Sequence, residues 1–182
     1  MRTLKIVGYI CFAILVTLSL LWWEFAPHQP SDATLESRFK EQRLDLERVV
    51  MMSDEDPQMS RIAADFLWKQ DNVGWPRPQS EWGISEERWD EYRKVFRRAD
   101  FDGGVTRWGK DVKVGVWSWG IVPAGVSISY LHCGSPSKES TSQDPACTER
   151  KDTGTGKYGN SSSFGYRYKK LTDGWYILEE SN

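Results

Sequence analysis

The chain has 182 residues and a formal net charge of −2, from 24 basic and 26 acidic side chains. That balance leaves no electrostatic footprint for nucleic acid, and 27% charged with 39% hydrophobic residues excludes a disordered chain. Ten tryptophans is a high count: most are expected in the core, and any left over would suit an aromatic platform for sugar or peptide.

Residues 6–23, IVGYICFAILVTLSLLWW, hold no charge and no proline. At helical rise they cover roughly 27 Å, close to a bilayer core of about 30 Å. Arg2 and Lys5 precede the run, Glu24 follows it, and the next Lys or Arg is Arg38. The positive flank is expected to hold residues 1–5 in the cytoplasm and send the rest across. A cleaved signal peptide is the competing reading, but the run is long and a cut after Ala26 would leave Glu24 at an unfavourable position. Cys11 reads as a small lipid-facing hydrophobe. Residues 24–32 form a linker, where Pro27 and Pro30 stop the helix. The expected location is the cell membrane, single-pass, with residues 33–182 as an extracytoplasmic domain and the lipid bilayer as first partner.

Residues 33–52 are helical in pattern, with Ser31 or Asp32 as cap. Leu35, Phe39, Gln42, Leu46 and Val49 share one face. That face is expected to pack on a sheet; the alternative is a homodimer through Leu35, Phe39, Leu46 and Val49. The acidic stretch 53–57 lacks the ligand spacing of a calcium loop and reads as a turn. Residues 59–68 read as a short strand or a turn of helix, and 70–83 as a loop pinned by buried Trp75 and Trp82. Ser85 caps a second helix that turns Trp89, Tyr92, Val95 and Phe96 inward and ends in Arg93, Lys94, Arg97 and Arg98.

The remainder is β-like. In 112–119, Val112, Val114 and Val116 alternate against Trp117 and Trp119, and in 126–131 Val126, Ile128 and Tyr130 share a face, which makes a hairpin. Residues 133–163 are polar and read as a flexible projecting loop. Within it Thr153-Gly-Thr-Gly-Lys157 lacks the spacing of a phosphate loop, and Asn160-Ser-Ser162 is a glycosylation sequon. Residues 164–168 and 175–178 form a second hairpin across an Asp-Gly turn. The expected fold is α+β: an N-terminal transmembrane helix, then a four-stranded antiparallel sheet packed with two helices.

Cys133 and Cys147 are the only cysteine pair beyond the apolar run. Bonded, their loop would stabilise the fold by about 3 kcal/mol; free thiols are the alternative. A metal site is not supported, since only His132 lies near them.

Three stretches, RFKEQRLDLERVVMM, the EER and EYR pieces of the second helix, and the closing YRYKKLTDGWYILEE, resemble a group of small bacterial single-pass membrane proteins with no established activity. The resemblance implies single-pass topology and a bacterial source, and carries over no catalytic or binding residue.

His28 and His132 are the only histidines. His132 beside Cys133 would be the nucleophile–base pair of a hydrolase-like enzyme, the alternative function. Neighbours on a strand, however, point to opposite faces, and a disulfide-bonded cysteine cannot attack. The favoured expectation is a non-catalytic binding or accessory domain with no cofactor. It would meet a protein or cell-envelope polymer through Trp117 and Trp119 if these stand exposed in a groove.

Overall fold

The structure is a computed structural model that describes residues 16–17, 28–70, 72–121, 124–134, 147–148, 151–157 and 164–181. Two helices open the described domain, α1 (Asp32–Glu41) and α2 (Arg43–Glu55), and a third, α3 (Glu86–Ala99), follows a long irregular stretch. The strands are β1 (Met59–Ile62), β2 (Leu67–Lys69), β3 (Gly104–Trp108), β4 (Asp111–Ile121), β5 (Ala124–His132), β6 (Thr153–Lys157), β7 (Gly165–Thr172) and β8 (Trp175–Ser181). They form one sheet in the order β2-β1-β3-β4-β5-β8-β7-β6, with every pairing antiparallel.

The helices start where side chains can satisfy their free N–H groups. Ser31 Oγ accepts from the Thr34 amide at 3.2 Å, and Ser85 Oγ from the Arg88 amide at 3.1 Å. The expected single helix over 33–52 is broken at Gln42, whose backbone leaves the helical region (φ −98°, ψ 8°). Its side-chain amide donates to the Ala99 carbonyl at 2.8 Å, which ties the break to the end of α3.

All three helices lie on one face of the sheet. Leu35, Phe39, Leu46 and Val49 are buried there against Val112, Val114, Ile128, Tyr130 and Trp175. Burying each aliphatic side chain is worth about 1.5–3 kcal/mol. The expected homodimer stripe is therefore consumed by the domain's own core. What α2 leaves exposed instead is Leu44 and Met51. Arg88 joins α3 to the end of α2 through Asp56 (2.8 Å), Glu55 (2.7 Å) and the Met52 carbonyl (3.1 Å). The Tyr92 hydroxyl donates to the same Asp56 carboxylate at 2.9 Å. Arg167 on β7 clamps Asp32 at the start of α1 with two contacts of 3.0 and 3.1 Å.

This architecture corrects the expected fold. The four expected strands exist as β4, β5, β7 and β8, but β1, β2, β3 and β6 double the sheet, and there are three helices among the described residues rather than two. Strand β6 arises inside the stretch expected to be a polar loop. Its Gly154 and Gly156 lie opposite Tyr168 and Tyr166, whose rings occupy the space a Cβ would fill. Strand β3 starts on Gly104, at φ +65°, where a side chain would strike the Ile62 carbonyl. Among the described residues no helix is long and apolar enough to cross a membrane. Of the expected span 6–23, only Val16 and Thr17 are described, both helical; the others, like residues 1–5, lie outside the described residues.

Candidate ligand cleft

The sheet face turned away from the helices is built by strand alternation. The valines of β4 face the helices, so Lys113 points the other way. Cross-strand pairing carries that side along the rung Trp68, Arg61, Thr106, Lys113, Leu131, Tyr176. At the β5–β8–β7 end the face is apolar and covered. Leu131, Tyr168, Tyr176 and Leu178 are buried together with the Cys133–Cys147 disulfide (Cα–Cα 5.3 Å). The cysteine pairing expected from spacing alone is present.

At the β2–β1–β3–β4 end the same face holds a cleft of about 910 Å³. Arg61, Trp68, Thr106, Trp108, Lys113, Trp117, Ser127 and Ser129 line it, with Arg107 and Lys110 at its edge. Four of the lining residues are cationic and none is a carboxylate. Two of the four are already paired. Lys113 Nζ lies 2.6 Å from Glu180 and 4.5 Å above the Trp108 ring, and Arg107 meets Asp54 at 2.6 Å. Arg61 is different. Its guanidinium rests against Phe66 and Trp68, 5.0 and 5.2 Å from the ring centres. It forms no ion pair among the described residues, and its buried Nε has no hydrogen-bond partner. Burial pulls its pKa below the usual arginine value, and the charges of Asp65 and Glu180 offset that only partly.

The expected ligand-binding tryptophans separate. A bulge at Val116 shifts the register, so that Trp117 pairs with Ile128 and no longer alternates cleanly with the valines. Trp117 is half-buried, packing partly on the main core and partly lining the cleft. Trp119 is 56% exposed and does not line it. Trp75 and Trp82 are half-buried and pack on Trp89, with ring centres 5.5 and 4.9 Å away. Arg61, Trp68, Trp108 and Lys113 did not stand out in the sequence, because the pairing of four strands, β1 to β4, brings them together. The signal available was the pair Ile62 and Leu67 flanking Ala-Ala-Asp, which marks a tight hairpin and sets Arg61 facing outward.

The residues of the alternative enzyme do not meet. His132 turns toward the helix side and packs against Trp175, ring centres 4.8 Å apart and planes tilted by 52°, with its Nδ1 buried and unpartnered. Cys133 turns away and its sulfur is in the disulfide. Asp111 lies within 4.8 Å of both sulfurs. It accepts from the Gly134 amide at 3.0 Å. Sulfurs bonded to each other offer no thiolate, so this trio is not a metal centre in the oxidised protein.

Comparison with protein-family models, with curated proteins and with solved structures finds no match.

Proposed function

We propose that this domain is a non-catalytic binding module that works outside the cytoplasm, taking its ligand in the cleft beside Trp68, Trp108 and Trp117. The observation that carries the reading is the cleft itself. At about 910 Å³ it is in the range of small-molecule and oligomer sites, with aromatic walls and a few convergent polar groups. The hydrolase-like alternative loses its nucleophile to the disulfide. The extracytoplasmic placement draws support from that bond, since structural disulfides persist in oxidising compartments. It also rests on the charge asymmetry around residues 6–23, on sequence grounds alone.

Two measurements test this. Thiol trapping in intact cells should find Cys133 and Cys147 oxidised; a reduced pair would remove the extracytoplasmic placement. Full-length protein mixed with isolated cell-envelope polysaccharide should co-sediment with it. Replacing Trp108 and Trp117 by alanine should release it, and equal sedimentation of both forms would take the ligand out of the cleft.

A further inference from the structure

We infer that the cleft is built for an acidic saccharide, with Arg61 receiving a sugar carboxylate; this rests on the binding reading above and names its ligand class. An arginine carries five N–H donors in a rigid plane that matches a carboxylate edge to edge. Here that plane is held against Phe66 and Trp68, so its orientation is set before any ligand arrives. A cation taken partly out of water, with no ion pair among the described residues and only the more distant charges of Asp65 and Glu180 to offset its burial, destabilises the fold, and its buried Nε is left without a hydrogen-bond partner. The protein as a whole is slightly acidic, yet no carboxylate lines the cleft; of the four cationic residues that do, Lys113 is held by Glu180 and Arg107 by Asp54. Lys110, at its edge, also has no ion pair among the described residues and adds to the attraction for an anion.

The remaining walls select against a bare ion. A volume of about 910 Å³ far exceeds that of one phosphate or carboxylate group and accommodates several sugar rings. Thr106 and Ser127 offer hydroxyls for a polyol, while the indoles of Trp108 and Trp117 offer flat surfaces for the C–H faces of pyranose rings. Hydroxyls on one side, rings on the other and a fixed cationic fork at the β1 end together describe a chain of uronate-type sugars.

The test is calorimetric titration of the full chain in detergent with trigalacturonate, its methyl ester and inorganic phosphate. The acid should bind about ten- to a hundredfold more tightly than the ester, the worth of a charged hydrogen-bonded contact. Phosphate alone should bind far more weakly than the acid. Arg61→Met should bring the acid down to the level of the ester and leave the melting temperature unchanged or higher. Arg61→Lys, which keeps the charge without the fork, should fall between. Equal binding of acid and ester would overturn the carboxylate assignment while leaving the cleft as a binding site. Phosphate binding as tight as the acid would replace the saccharide by a simple anion. No binding of either saccharide would overturn the inference outright, and the polysaccharide co-sedimentation would then decide whether the cleft binds at all. A lowered melting temperature of both variants would make Arg61 a structural residue and would equally overturn it.

Discussion

The two ends of the helix-free sheet face are finished in opposite ways. At the β5–β8–β7 end Leu131, Tyr168, Tyr176 and Leu178 are buried in one cluster with Cys133 and Cys147, which a disulfide joins. At the β2–β1–β3–β4 end no described segment covers the sheet, and half-buried Arg61 forms no ion pair among the described residues. One end is organised for stability by apolar burial, with the buried carboxylate of Asp111 beside the disulfide. The other keeps a partly desolvated charge at Arg61 beside the open cleft, a cost consistent with the proposed binding role. Substitutions should therefore separate the two ends sharply.

The largest effect belongs to the sealed end. Tyr168 is 1% exposed, and Tyr168→Ala should cost about 3–5 kcal/mol in urea unfolding, as other buried aromatic deletions do. The double change Cys133→Ser and Cys147→Ser should lower stability by about 3 kcal/mol, from the loss of a cross-link 14 residues apart. If either change were nearly neutral, the cover would not be what holds that end together. Gly154→Ala comes next, at about 1–3 kcal/mol, because the new methyl meets the Tyr168 ring.

The contrast also explains what could be read in advance. Strands β4, β5, β7 and β8 were legible because valines, isoleucines and aromatics alternate along them. The cysteine spacing was legible because a loop of that length closes easily. Strand β6 was not, since alternating threonine and glycine looks like loop until Tyr166 and Tyr168 are placed over the glycines. The break at Gln42 was hidden because its hydrogen bond to Ala99 is a tertiary contact between residues 57 apart. In the site, Trp117 was visible as an aromatic on a strand, but the bulge at Val116 that shifts its register against β5 was not. Arg61 gave no local sign, since its significance comes from what β3 and β4 fail to place beside it.

At the open end the expected changes in stability are small. Arg61→Met should shift unfolding by less than about 1 kcal/mol, in the stabilising direction, because loss of an unpaired charge offsets the loss of its ring contacts. A clear destabilisation would make the two ends alike and would remove the contrast between a sealed half and an open one.

The smallest effect is a slope rather than a step, and it falls on the strand that leads into the disulfide. His132 is half-buried against Trp175, and burial holds its pKa below the ordinary histidine value; Asp54, Asp111 and Glu47 pull it up and Arg43 pushes it down, without reversing the shift. The unfolded chain takes up a proton near pH 6.5, whereas the folded chain resists it to lower pH. Between those two points the unfolded state binds more protons, so stability is complete above about pH 6.5 and declines as pH falls toward the folded value. Urea midpoints measured on either side of that range should show the decline in the native protein. In His132→Phe, which keeps a ring on Trp175, the histidine's share of the decline should vanish while the carboxylates, which titrate lower, are untouched. An identical slope in the variant would assign the pH dependence to those carboxylates.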